Sequence, residues 1–391
     1  MVALIGEEQI IDRKEWPKIL MDTFRTRVFF GEIVFLAHQS QYFTQMMPLC
    51  MFIFGLVLSL LSNRMLLQHY AHGHLAEDSD QERWNIRKPE TGGVSFYLCF
   101  FVAILFLYLS SYQRADSRLA GLLLAGTLAF GIGLWDDCKH ISPLIKFSGQ
   151  LLCAHILYVF GFHIAFIGLW WADYLFTVVW VLGIMNSINM LDNMDSISSI
   201  ASLAVLMACA LVVGMSGGSD VTLLLIGLAV AGALTGFLVY NWYPSKMYMG
   251  DSGSQFLGIL LSALAIEFLW PYRDASGGFE IRQFVFPLLA FMIPIIDTTT
   301  VTFRRLATGQ SPFVGGRDHT THQVALYTGN DRMVAFLMGG ISLVNLVVII
   351  LLMQYVGQWE FIYTVLIFIY FFLLLAFFQW FYSANKKRKN G

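Results

Sequence analysis

The stretch "MNSINMLDNMDSI", residues 185–197, sits between two long apolar runs, and its reading decides how the whole chain is folded. The flanking runs, near 172–190 and 197–215, are each close to the roughly 20 residues a helix needs to cross lipid. Inside the stretch, Asn186, Asn189, Asp192 and Asp195 recur at every third position. On an α-helix turning about 100° per residue, each such step falls about 60° short of a full turn. Asn186 and Asp195 would then lie on opposite sides of an unbroken helix. All four can face one site only if the helix tightens or unwinds near Asp192. The stretch therefore reads as the end of one spanning helix opening into a polar loop, with the next span following directly.

The rest of the chain supports a lipid environment. Of 391 residues, 57% are hydrophobic and 13% charged, against roughly a quarter charged in soluble domains. A net charge of -2 gives no reason to expect a nucleic-acid partner. Cys50, Cys99, Cys138, Cys153 and Cys209 are scattered in or beside apolar runs, in neither a disulfide nor a zinc pattern. Apolar segments near 48–68, 93–112, 119–136, 145–162, 172–190, 197–215, 220–241, 254–270, 283–303, 333–353 and 359–382 predict an all-α polytopic membrane protein with about eleven transmembrane helices. Residues 1–47 form an N-terminal extension with the character of an interfacial amphipathic helix, 48–382 the membrane domain, and 383–391 a basic tail. The first 20 residues lack the apolar core of a cleavable signal peptide, so the first span is expected to direct insertion. Fifteen of the 24 Lys and Arg residues fall in one set of loops and four in the opposite set. The positive-inside rule puts the richer set, with the C-terminus, in the cytoplasm.

The carboxylates concentrate on that same face. Asp136 and Asp137 end the third span, Asp192 and Asp195 follow the fifth, Asp251 precedes the eighth, and Asp318, His319 and His322 lie between the ninth and tenth. The opposite loops, such as "SGGSD" and "PYRDASGG", show no comparable cluster. Two adjacent carboxylates such as Asp136 and Asp137 ionise together only with a cation or donors nearby. Gly250 and Gly253 around Asp251 suit either a simple turn or a close backbone approach to a ligand, with helix N–H groups facing an anion. Arg317, His319 and His322 suit either a solvated loop or a phosphate clamp. Arg304 and Arg305 read most simply as headgroup anchors. Together, carboxylates that attract a hard divalent cation and basic groups that hold phosphate oxygens point to phosphoryl transfer at the membrane surface. A transporter with an ion site is the competing class, but such groups usually sit near the bilayer midplane rather than at span ends on one face. A non-catalytic scaffold binding lipid-linked sugars is a third.

Five segments, in chain order, carry a resemblance. "PETGG" (89–93), "GLWDDCKHISPLIKFSGQ" (133–150), "NSINMLDNMDS" (186–196), "YNWYPSKMYMGDSGSQFLG" (240–258) and "RDHTTHQ" (317–323) resemble the motifs of the polyprenyl-phosphate N-acetylhexosamine-1-phosphate transferases. Two motif glycines are replaced by Asn193 and Ser196, and Thr321 stands where many members have His. Asn193 and Ser196 are thus expected to supply the break after Asp192, with Asn193, which tolerates the left-handed backbone, the first candidate. The resemblance implies transfer of a sugar-1-phosphate, GlcNAc-1-phosphate foremost, from a UDP-N-acetylhexosamine to undecaprenyl or another polyprenyl phosphate, releasing UMP. It implies Mg2+, or Mn2+ in its place, and a bacterial inner-membrane location with the active site cytoplasmic. Lipid I synthase-like transfer is the less favoured branch, since the last loop lacks a His-His-His run. By motif position, Asn189 and Asp251 would bind metal, and Asp136, Asp137, Asp192 and Asp195 would serve catalysis. Lys146, Asn186, Arg317, His319 and His322 would bind substrate. Membrane lipids are implied partners, and a homodimer is left open.

Overall fold

The computed structural model describes residues 41–77, 88–109, 116–216, 220–271, 280–311, 316 and 318–390. The interfacial helix expected in the N-terminal extension lies, up to residue 40, outside them, as does Arg317. Every regular element among the described residues is helical. In chain order these are α1 (Gln41–Glu77), α2 (Gly92–Leu109), α3 (Ser117–Lys139), α4 (Pro143–Val159), α5 (Trp170–Leu191), α6 (Ile197–Ser216), α7 (Val221–Asn241), α8 (Gly250–Phe268), α9 (Val285–Ala290), α10 (Met292–Ala307), α11 (Thr320–Thr328), α12 (Asp331–Met353) and α13 (Phe361–Asn390). The tail at 383–390 is the last turns of α13.

Among the described residues, eight helices are long and apolar enough to cross a membrane, or nine if the bent pair α9 and α10 counts as one span. This falls short of the eleven expected, and the two shortfalls have separate causes. Helix α4 has 17 residues, about 26 Å at 1.5 Å per residue, less than a ~30 Å hydrocarbon core. Helix α8 fails by composition, not length. It packs against α2, α3, α5 and α6, and every residue from Ser252 to Ile266 is buried. A helix enclosed by other helices presents no side chains to lipid, so it can carry Asp251, Gln255 and Glu267 without meeting hydrocarbon.

The bend between α9 and α10 is 92°. Pro294 has no N–H to donate to the carbonyl of Ala290, so the hydrogen-bond ladder of α9 stops at Phe291. Phe291 N–H closes α9 on Pro287 O at 2.9 Å, and Ile295 N–H opens α10 on Phe291 O at 3.0 Å. Two of the loops that border the polar site meet at one end of the bundle. There the segment 89–93 pairs with 248–249 by backbone bonds: Tyr248 N to Pro89 O, Gly92 N to Tyr248 O and Gly93 N to Met249 O, at 2.9–3.0 Å. A Cβ on Gly93 would sit 2.2 Å from Gly253 N, so this crossing of α2 and α8 tolerates only glycine there.

Candidate active site

Asp136 and Asp137 are consecutive on the last turn of α3 and therefore point about 100° apart. Asp136 accepts from Lys146 Nζ at 2.8 Å and from Ile141 N–H at 2.9 Å. Asp137 accepts from the backbone N–H groups of Asp251 at 2.7 Å and Ser252 at 3.0 Å. The anion at the N-terminus of α8 is thus Asp137 itself, not a ligand, and the expected helix-end anion site is filled from within. Gly250, at φ 76°, makes this approach feasible: a Cβ there would lie 2.9 Å from Asp137 Oδ2.

Lys146 also donates to Asp251 Oδ2 at 2.8 Å and to Asn189 Oδ1 at 3.4 Å. Asn189 Nδ2 donates to Asp251 Oδ1 and to Ser254 Oγ, the latter at 2.9 Å. One lysine therefore joins α3, α5 and α8. Below it, Asn186 Nδ2 donates to Gln150 Oε1 at 3.1 Å, and Gln150 Nε2 donates to Gln255 Oε1 at 2.9 Å. Asp195 is bound on both oxygens by Ser245, through its N–H at 2.9 Å and its hydroxyl at 2.8 Å. It braces the 243–249 loop.

Asp192 differs from all of these. Its backbone N–H ends α5 on Ile188 and Asn189 carbonyls, so the helix stops where the polar row required. Its half-buried carboxylate has no hydrogen-bond partner among the described residues. Burial, then the nearby carboxylates of Asp251, Asp137, Asp195 and Glu90, push its pKa up to about 8. The left-handed residue after it is Ser196, at φ 68°, and not Asn193. Asn241 Oδ1 accepts the Ser196 N–H at 2.9 Å and the Ser196 hydroxyl donates to Asp195 O at 2.6 Å, which fix the turn. Asn193 instead donates to Met190 O at 2.7 Å and accepts from the Thr321 hydroxyl at 2.7 Å. Two of the three departures from the family pattern, Asn193 and Thr321, are therefore bonded to each other.

Two cavities of opposite character adjoin here. The first, about 350 Å³, is lined by Glu90, Asp136, Asp137, Asp192, Asp195 and Asp251, together with His140, Asn193 and Tyr248. The second, about 420 Å³, is lined by Lys146, Arg305, His319, Asn186 and Asn189, with apolar Ile141, Pro143, Phe147 and Met190. Asp136 and Asn193 line both. His319 is the N-cap of α11 and His322 lies in its first turn, with ring centroids 6.1 Å apart, and only His319 lines either of the two cavities.

Arg305 is buried rather than a headgroup anchor. It holds Asp318 by two bonds of 2.9 and 2.7 Å, and Arg304 donates to Asp318 O at 2.7 Å while lying over the Tyr382 ring. Burial would raise the Asp318 carboxyl, but Arg305 outweighs it and holds it below the ordinary carboxylate range. The reading from sequence passed over Glu90, His140 and Asp297. Asp297 carried a signal, an acid inside an apolar run, which lipid tolerates only with a partner.

Among the described residues, no three His, Cys, Asp or Glu side chains converge as a metal cage. The donor chemistry of the acidic cavity still suits a hard divalent cation, since Asp192 is unpaired among five other carboxylates. Asp251 beside it has one oxygen on Lys146 and the other on Asn189. Mg2+ commonly takes one or two protein carboxylates and completes its shell with water and substrate phosphate.

Helices carry a carboxylate-rich polar site at one end of a multi-pass bundle, and the comparisons with known proteins agree with that class. Residues 119–269 match the family model described as glycosyl transferase family 4. The matched region holds Asp136, Asp137, Lys146, the 186–195 row and Asp251, and ends before α11. The chain is 29% identical over 300 residues to a probable undecaprenyl-phosphate N-acetylglucosaminyl 1-phosphate transferase of Bacillus subtilis, covering 74% of this chain and 79% of that protein. It is 29% identical over 278 residues to the decaprenyl-phosphate N-acetylglucosaminephosphotransferase of Mycobacterium leprae, covering 64% and 69%. It is 32% identical over 202 residues to a phospho-N-acetylmuramoyl-pentapeptide-transferase of Limosilactobacillus fermentum, covering 47% and 62%.

Proposed function

We propose that this chain is a phospho-N-acetylhexosamine transferase of a bacterial inner membrane. It moves a sugar-1-phosphate, GlcNAc-1-phosphate foremost, from a UDP-sugar to undecaprenyl or a related polyprenyl phosphate and releases UMP. The observation that carries this reading is the pair of adjoining cavities, acidic and basic, tied together by Lys146 between Asp136 and Asp251. The first two relatives are named for such transfers to undecaprenyl and decaprenyl phosphate, and their alignments cover more of both chains than that of the muramoyl-pentapeptide enzyme.

In this reading the acidic cavity takes the nucleotide diphosphate, and Asp192 and Asp251 hold Mg2+ there. Bound Mg2+ supplies charge neutralisation of the diphosphate and of the leaving phosphate. The basic cavity, with its apolar wall, takes the lipid phosphate, whose oxygens meet Lys146, Arg305 and His319. Lys146 fixes the Asp251 carboxylate against Asp136, and Asn189 holds its other oxygen. Asp137 and Asp195 position the α8 N-terminus and the 243–249 loop, both of which border the acidic cavity. A phosphate oxygen of the lipid attacks the sugar-linked phosphorus, and most of the catalysis is positioning and charge stabilisation. Lys139, Lys146, Arg305 and the Lys386–Arg388 run share the site's end of the bundle, which supports a cytoplasmic site by the positive-inside rule.

The test is purified protein with Mg2+, undecaprenyl phosphate and a panel of UDP-sugars, the lipid product being identified by mass. UMP release that requires both lipid phosphate and Mg2+, and that Asp251→Ala abolishes, is the expected result. Transport of a sugar or ion without UMP release would overturn it.

A further inference from the structure

Asp297 lies in α10, fully buried, in a segment where an uncompensated carboxylate is costly. It lines neither cavity of the site. Both of its oxygens are engaged by the start of α11. Oδ2 meets His319 Nδ1 at 2.8 Å, and Oδ1 accepts the Thr320 N–H at 2.8 Å and the Thr320 hydroxyl at 2.6 Å. Arg304 and Arg305, two turns further along the same helix, interact with it electrostatically. With both oxygens taking bonds from these donors, Asp297 acts as the acceptor. The proton between it and the imidazole therefore sits on His319 Nδ1. His319 itself lines the basic cavity, and its Nε2 has no hydrogen-bond partner among the described residues.

We propose that Asp297 is a positioning residue that fixes His319 with Nδ1 protonated and presents Nε2 to the cavity as a proton acceptor. This rests on the reading that the basic cavity receives the lipid phosphate. A phosphate monoester arriving with its last proton loses it to Nε2: the O–H bond breaks, the Nε2–H bond forms, and the electron pair of the O–H bond stays on the phosphate oxygen, available for attack. The imidazolium then stays beside the phosphate as a cation, with Asp297 behind it offsetting its charge. Asp297 has a purely structural role as well, because its Oδ1 caps α11.

Asp297→Asn separates the two roles. The amide oxygen still caps Thr320, but the amide nitrogen donates to Nδ1 and forces the proton to Nε2. The first measurement needs no turnover: the ring 15N signals of His319 in protein labelled with [15N]histidine, at pH 9, assigned by their loss in His319→Gln. Nδ1 protonated in the unaltered protein and Nε2 protonated in Asp297→Asn is the expected pattern. Nε2 protonated in the unaltered protein would overturn the proposal. The second measurement is kinetic. Asp297→Asn should lower kcat about 100-fold with little change in KM for the UDP-sugar, and adding His319→Gln should cause no further loss. Losses that multiply in the double variant would also overturn it. Absence of transfer by the unaltered protein would instead remove the reading of the reaction, and leave the 15N result standing.

Discussion

The α3 and α8 pair carries acidic clusters at both of its ends, and they are built in opposite ways. At the far end Arg118 holds Asp116 at 3.2 Å, Asp220 at 2.8 Å and Glu267 at 3.1 Å. Asp116 also accepts the Arg118 N–H, and Asp220 those of Thr222 and Leu223, so each caps a helix. Every acid there has a partner. About 27 Å along α3, six carboxylates line one cavity, Lys146 is paired with two of them, and Asp192 has no partner among the described residues. The sequence reading expected no cluster at the far end, because Asp116, Asp220 and Glu267 are dispersed in the chain. The number of acids does not separate a structural cluster from a functional one. The separating feature is a carboxylate left uncompensated beside an open cavity.

The sharpest way to break this contrast is to neutralise one acid at each end. Asp192→Ala should lower kcat/KM at least about 1000-fold while thermal stability holds or rises, because a carboxyl group with no hydrogen-bond partner among the described residues has been removed. Activity within tenfold of the unaltered protein would place Asp192 with the structural acids. Lys146→Ala should cost activity and stability together, with about a 100-fold loss and a lower melting temperature, since Asp136 and Asp251 are left facing each other. Arg118→Ala should do the reverse of Asp192→Ala. It should lower the unfolding free energy by roughly 2 kcal/mol, less than for a fully buried pair because Arg118 is a third exposed, and leave kcat unchanged.

A smaller effect follows from the pKa of Asp192. In metal-free protein it stands at about 8, against about 3.9 for an unfolded aspartate. Between those values the folded state keeps a proton that the unfolded chain has released, so stability falls as pH rises through that window. Melting temperatures in chelator at pH 5 and pH 8 should differ more for the unaltered protein than for Asp192→Asn. Equal differences in the two proteins would remove Asp192 as the titrating group.

Much of the site was legible before any coordinates because its motifs are local. The three-residue spacing from Asn186 to Asp195 required a helix end at Asp192, and α5 ends there. The pairing of Asp136 with Lys146 spans ten residues across one turn, so one stretch of sequence contains it. Other features depend on contacts between distant segments, which no local pattern encodes. Asp137 reaches the α8 N-terminus across 114 residues, and Asp297 reaches His319 across 22. The count of eleven spans is not confirmed for a related reason. Hydropathy reports whether a helix can face lipid, and α8 does not face it.

The finest version of the comparison lies within the loop after Asp192, where two residues replace glycines of the family pattern. Ser196 occupies the left-handed region, which costs a non-glycine residue roughly 1–2 kcal/mol, yet its N–H and hydroxyl are both bonded. Ser196→Gly relieves the strain, loses the hydroxyl's bond to Asp195 O, and adds backbone freedom to the unfolded chain. The net should be a gain of no more than about 1 kcal/mol, with activity retained. Asn193→Gly should instead destabilise by about 1 kcal/mol, because the bonds to Met190 O and the Thr321 hydroxyl vanish and no strain is relieved. If Asn193→Gly proved the stabilising change, the left-handed position would have moved to residue 193. The loop would then present Asp192 differently, and the assignment of its unpaired carboxylate to the acidic cavity would fail with it.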